Sequence, residues 1–127
     1  MRTCTARVVA LVDDDADVRV AIAGLLESAG FEAETYASAE QFLELAHRES
    51  IRCLVLDLGL PGIGGAVLLR QLRASGWCTP VICMTGQRDP SGNLAEQVLR
   101  AGARTILYKP FDSEELLQVV ESADVLR

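Results

Sequence analysis

Short apolar runs alternate with stretches of helical period five times along this chain. Residues 8–12 (VVALV) contain no polar side chain, the pattern of a strand buried on both faces. A helix is predicted over 16–29, because Val18, Ile22, Leu25, Leu26 and Ala29 recur on one face and Gly30 ends the run. Residues 31–37 read as a mixed strand carrying Glu32 and Glu34. Ser38, with Gln41 three places on, opens a second helix as a capping box. Phe42, Leu43, Leu45 and Ala46 give that helix an apolar side, and it ends before Ile51. The same periodicities predict a strand over 51–58, a helix over 66–74, a strand over 80–85, a helix over 93–101 stopped by Gly102, and a strand over 104–108. Asp112 or Ser113 then opens the last helix, where Leu116, Leu117, Val120 and Ala123 form the buried stripe behind an acidic first turn. The pattern is (βα)5.

Polarity also orders the strands. Strands buried on both faces are continuously apolar, whereas edge strands tolerate charge. The first, third and fourth strands, each built mainly of apolar residues, qualify as central. The second carries two glutamates and the fifth carries Arg104 and Thr105, so both suit edges. With right-handed crossovers the expected architecture is a doubly wound, flavodoxin-like five-stranded parallel sheet in the order 2-1-3-4-5. Sites in such sheets form beyond the carboxyl ends of the strands, where the winding reverses between strands one and three.

With 127 residues the chain is expected to be a single domain over 1–127. Only 5% of residues are aromatic while 50% are apolar, so the core must be built from aliphatic side chains. A formal charge of −6 without a Lys/Arg cluster argues against direct nucleic-acid binding. No apolar run approaches the roughly 18 to 20 residues of a membrane span and the first residues lack the order of a secretion signal, so a cytoplasmic protein with no membrane partner is expected. Cys4, Cys53, Cys78 and Cys83 are scattered, with no C-x-x-C pair; reduced structural thiols are expected and a zinc site is not. His47, on the polar side of the second helix, reads as solvated. Trp77, in the connection before strand four, is open to two readings, a packing anchor or a partner contact.

Four strand ends gather chemistry. Strand one ends in Asp13, Asp14 and Asp15, strand three at Asp57, strand four at Thr85 followed by Gly86, and strand five in Lys109 and Pro110. In the expected order Asp13 and Asp14 lie next to Asp57, and neighbouring carboxylates disfavour joint ionisation unless a cation compensates. Hard oxygen ligands suit Mg2+, and Lys109 supplies a second positive charge. Asp15 is better read as the cap of the first helix, since Asp is favoured there. Taken alone, Thr85 would be a strand residue and Lys109 a solvated cation.

The segments V-D-D-D-A-D-V-R at 12–19, L-V-L-D-L-G-L-P-G at 54–62, V-I-C-M-T-G at 81–86 and A-G-A-R-T-I-L-Y-K-P-F at 101–111 together resemble the receiver domain of two-component response regulators, the chemotaxis regulators among them, over nearly the whole chain. The resemblance implies that Asp57 is a phosphoacceptor. It also implies that Asp14 and Asp57 ligate Mg2+ directly, Asp13 through water and Gly59 through its carbonyl, that Thr85 and Lys109 contact the phosphoryl group, and that the Lys109–Pro110 peptide is cis. A sensor histidine kinase or phosphotransfer protein would supply the phosphoryl group from a phosphohistidine. The surface of the fourth helix, fifth strand and fifth helix would then change its affinity for a partner or a second copy of the chain. Such a domain assists its own phosphorylation and dephosphorylation without being a turnover enzyme.

The chain departs from the family pattern in places. Ile106 stands where an aromatic is usual, with Tyr108 beside the lysine instead, so Ile106 reads as a core residue and aromatic gating is not expected from it. The segment 85–101 is about two residues longer than usual, with Arg88-Asp89-Pro90-Ser91-Gly92 as a distinct loop. Gly59 offers no side chain to the phosphoryl group, so fast hydrolysis is expected unless Gln87 shields the site. The competing expectation is a receiver-like binding module that switches weakly or without phosphorylation. A Mg2+-dependent aspartyl hydrolase would need a lid for which 127 residues leave no room, and flavin binding is disfavoured because the first strand ends in acids.

Overall fold

The computed structural model describes residues 8–86 and 92–123. Strands β1 (Val8–Val12), β2 (Glu32–Tyr36), β3 (Ile51–Asp57), β4 (Val81–Thr85) and β5 (Thr105–Tyr108) form one parallel sheet in the order β2-β1-β3-β4-β5. Helices α1 (Ala16–Ser28), α2 (Ala39–Leu45), α3 (Gly65–Ala74), α4 (Asn93–Arg100) and α5 (Ser113–Ser122) alternate with the strands. The expected (βα)5 sheet and its strand order are both found. β1 and β4 are buried along their whole length and β3 in all but one position, whereas β2 exposes Glu32 and Thr35 at one edge. Cys4, Gln87 and the loop residues Arg88–Ser91 lie outside the described residues.

The sheet divides the core in two. On one face Ala10, Val12, Leu54, Leu56 and Cys83 pack under Phe42 of α2, Leu68, Leu69 and Leu72 of α3 and Val98 of α4. On the other, Val9, Leu11, Val55, Ile82 and Met84 meet Ile22 and Leu26 of α1 and Leu116 and Val120 of α5. Alternate side chains of each strand therefore serve opposite cores, which is why these strands read as continuous apolar runs. Full burial of each Leu or Ile contributes about 1.5–3 kcal/mol.

Local chemistry sets the helix ends. Asp15 caps α1, its Oδ1 accepting from the amides of Asp17 (2.9 Å) and Val18 (3.3 Å). Ser38 Oγ accepts the Gln41 amide at 3.1 Å, and Gln41 Oε1 in turn accepts the Ala37 amide at 2.9 Å. Gly30 and Gly102, which follow α1 and α4, both take left-handed φ values of 93° and 111°.

The second helix is shorter than its pattern suggests. It stops at Leu45, which is 58% exposed and so is not on the apolar side. Ala46 turns extended, and residues Arg48–Ser50 form a separate 3-10 turn. His47 therefore lies beyond the helix, at the start of that turn, and not on its polar side. A tertiary contact holds the turn: Trp77 Nε1 donates to the Arg48 carbonyl at 3.2 Å, and its ring lies 6.0 Å from that of Phe42. Trp77 is thus a packing anchor. At the same end of the sheet Arg73 Nη1 donates to the carbonyls of Trp77 and Thr79, both at 2.9 Å, and Nη2 to that of Gly102 at 2.8 Å. One side chain thereby ties the end of α3 to the entry of β4 and to the turn between α4 and β5.

Candidate functional site

At the carboxyl edge of the sheet β1 and β3 run side by side, Val12 pairing with Leu56, so the residues after them emerge together. Asp13, Asp14 and Asp57 each present a carboxylate oxygen, and these atoms lie within 4.8 Å of one another. Lys109, from the end of β5, points its ammonium into the group, donating to Asp13 Oδ2 at 3.2 Å and lying 3.7 Å from Asp57 Oδ2.

The three acids are held differently. Asp13 is fully buried and uses every polar atom: its amide donates to the Tyr36 carbonyl (3.1 Å), its carbonyl accepts from Arg19 Nη1 (2.8 Å), its Oδ1 accepts the Asp15 amide (2.9 Å) and its Oδ2 takes Lys109. Asp57 is nearly buried, and its Oδ1 accepts the Gly59 amide at 3.0 Å. Asp14 is exposed and makes no hydrogen bond or ion pair with the described residues. Burial raises the pKa of Asp57; the Gly59 amide pulls it back, the Asp13 carboxylate pushes it up, the Lys109 ammonium lowers it, and Asp14 adds a further upward push.

Thr85 ends β4 almost completely buried, one step beyond Met84, which pairs with Asp57. Its carbonyl accepts the Lys109 amide at 2.8 Å, which fixes the backbone carrying the lysine. The Lys109–Pro110 peptide is cis. Among the described residues, and apart from its chain neighbours, a Cβ at Gly86 would meet nothing within 4 Å. Beside Lys109, Val18, Ala21, Ile22, Pro110 and Phe111 line an apolar surface cavity of about 430 Å³. Ile106 is partly buried against the core under α3 and α4, whereas Tyr108 is 40% exposed and pairs in register with Thr85.

Two residues that the sequence did not single out support the pocket. Arg19 reaches back from α1 to the Asp13 carbonyl. Gly65 begins α3 directly against the end of β3: a Cβ there would lie 2.5 Å from the Asp57 carbonyl oxygen and 2.8 Å from Leu58 Cα. The paired glycines 64 and 65 at a helix start, where a better helix former would be ordinary, were the available signal for the second.

Fold and pocket together define a doubly wound α/β domain organised around an acidic pocket and its lysine. The chain belongs to the response regulator receiver domain family, whose model matches residues 9–121. Among relatives, the transcriptional regulatory protein FixJ of Bradyrhizobium diazoefficiens is 36% identical over 113 residues, covering 89% of this chain and 54% of FixJ. The response regulator StyR has a solved structure that superposes with a TM-score of 0.83 at 40% identity, over 91% of this chain and 58% of that one. A CheY-like receiver domain protein from Methanospirillum hungatei matches with a TM-score of 0.82 at 26% identity, over 92% of both chains. The chain spans about half the length of the curated relatives named first. Receiver domains of response regulators act in phosphorylation-dependent signalling, and this chain is such a signalling domain. No helix among the described residues is long and apolar enough to cross a membrane.

Proposed function

We propose that the chain acts as one receiver unit, in the cytoplasm, and that Asp57 accepts a phosphoryl group from a phosphohistidine of a sensor histidine kinase or phosphotransfer protein. The observation that carries this reading is the convergence of three carboxylates on one ammonium at the sheet's carboxyl edge. Three carboxylates against one ammonium leave a formal charge of −2, which a divalent cation cancels, and an all-oxygen donor set suits Mg2+. Asp14 and Asp57, with the Gly59 carbonyl, would hold the ion directly. Asp13, whose carboxylate oxygens already accept from the Asp15 amide and Lys109, would hold it through water. When bound, the ion supplies charge neutralisation for the phosphoryl oxygens.

In the transfer, an Asp57 carboxylate oxygen bonds to phosphorus as the phosphorus–nitrogen bond breaks and the imidazole leaves. Lys109 neutralises charge on the phosphoryl oxygens and the Thr85 hydroxyl donates to one of them. The product changes the surface formed by α4, β5 and α5, and with it the affinity for a partner or a second copy. Direct nucleic-acid binding forms no part of this reading. Incubation with a small acyl phosphate and Mg2+, followed by intact mass measurement, should add one phosphoryl unit to the wild type and none to Asp57→Asn. A chain that takes up none is instead a binding module that keeps the fold without the switch, a reading favoured by Ile106, which is packed against the core at the usual aromatic position.

A further inference from the structure

We propose that Arg19 is a positioning residue for the acidic pocket, holding the Asp14 carboxylate in place for the cation through the backbone of Asp13. The inference rests on the reading of the pocket as a divalent-cation site. Arg19 is the fourth residue of α1, at the positive end of a helix dipole that disfavours a cation. Its guanidinium nevertheless turns back across the helix start and donates from Nη1 to the Asp13 carbonyl at 2.8 Å. That carbonyl belongs to the peptide joining Asp13 to Asp14. On the other side of Asp13 the chain is pinned by its amide on the Tyr36 carbonyl and by the side-chain bonds to the Asp15 amide and Lys109.

Asp14 has no such partners of its own among the described residues. The direction of its side chain is therefore set by the backbone, and the Arg19 bond fixes the peptide plane from which that backbone leaves. Removing the guanidinium frees this peptide to rotate, and the Asp14 carboxylate swings relative to Asp57.

Charge and position have opposite signs here, which makes the proposal testable. A guanidinium beside a cation site repels a dication, so deleting it by charge alone would tighten Mg2+ binding. Deleting it as a positioning group loosens binding, by about 10-fold for loss of an outer-shell partner. The experiment is calorimetric titration of wild type, Arg19→Met, Arg19→Gln and Arg19→Lys with MgCl2, with acyl-phosphate phosphorylation rates measured at low and saturating Mg2+. Met, which has no donor, and Gln, whose amide sits two bonds short of the Arg19 Nη1 position, should each weaken Mg2+ binding about 10-fold, with rates returning towards wild type at saturating Mg2+. Lys, whose ammonium keeps N–H donors on a long stem, should fall between them and wild type. If Met does not fold, Gln carries the same comparison. Unchanged or tighter binding in the Met or Gln variant, or a Lys variant as weak as either, overturns the proposal. Absence of Mg2+ binding by the wild type overturns the reading of the pocket instead.

Discussion

Replacement of Gly65 by alanine sets two physical effects against each other. Helix propensity favours alanine over glycine by about 1 kcal/mol in a helix interior, and by less in the first turn. Packing opposes it. The added Cβ would lie 2.5 Å from the Asp57 carbonyl oxygen and 2.8 Å from Leu58 Cα, both backbone atoms that no rotamer change can move aside. Restoring an ordinary carbon–oxygen contact of about 3.3 Å requires α3 and β3 to part by roughly 0.8 Å. Overpacking of this kind costs about 1–3 kcal/mol, so the expected net loss is about 1–2 kcal/mol. The same shift displaces Asp57, and since a misplacement of about 1 Å can cost 100-fold in rate, phosphorylation by acyl phosphate should fall roughly 10-fold or more. Gly24 is the control: it lies inside α1, and a Cβ there meets nothing within 4 Å. Gly24→Ala should stabilise by about 0.5–1 kcal/mol without changing the rate. Urea denaturation compares the two variants. A Gly65→Ala protein as stable as Gly24→Ala and phosphorylated at the wild-type rate would refute the steric reasoning.

Further outcomes follow from the pocket and the thiols. Because the folded-state pKa of Asp57 is raised, mainly by burial, the native state binds its proton more tightly than the unfolded chain. The stability linked to that proton is present below the ordinary carboxylate pKa and is lost as pH rises through the folded value. Asp57→Asn should therefore raise Tm at pH 7 in Mg2+-free buffer and give no such gain near pH 3; a pH-independent effect by calorimetry would contradict the assignment. Burial pushes the Cys53 and Cys83 thiols up to about 12, whereas Cys78 is exposed. Site-resolved mass spectrometry after brief alkylation should find Cys78 labelled and the other two labelled only in denaturant. At Gly59 a Cβ would stand 3.6 Å from Asp57 Oδ1, an ordinary contact, so a side chain fits there. Gly59→Asn should lengthen the phosphoryl lifetime by shielding the acyl phosphate from water, and a longer lifetime in the wild type would count against an open pocket.

Much of this architecture is written in single residues. The apolar runs at 8–12 and 81–85 gave the central strands, the glutamates at 32 and 34 gave an edge, and Asp15 and Ser38 marked helix starts that their side-chain bonds bear out. The gathering of Asp13, Asp14, Asp57 and Lys109 was legible because strand order alone brings their strand ends together. The end of α2 was not legible, since the 3-10 turn after it is held by Trp77, 29 residues away along the chain. Arg19 and Arg73 were opaque for the same reason, since a guanidinium looks solvated until its carbonyl acceptors are placed, and for Gly65 the glycine pair at a helix start was a signal whose meaning shows only when the neighbouring backbone is seen.

The Arg73 fork has a mechanical consequence. It grips the chain just behind α4, at the edge of the sheet farthest from Asp57. α4 is thus held at its rear by a side chain from α3. A push arriving from the acidic edge would meet that clamp before the helix could slide along the sheet.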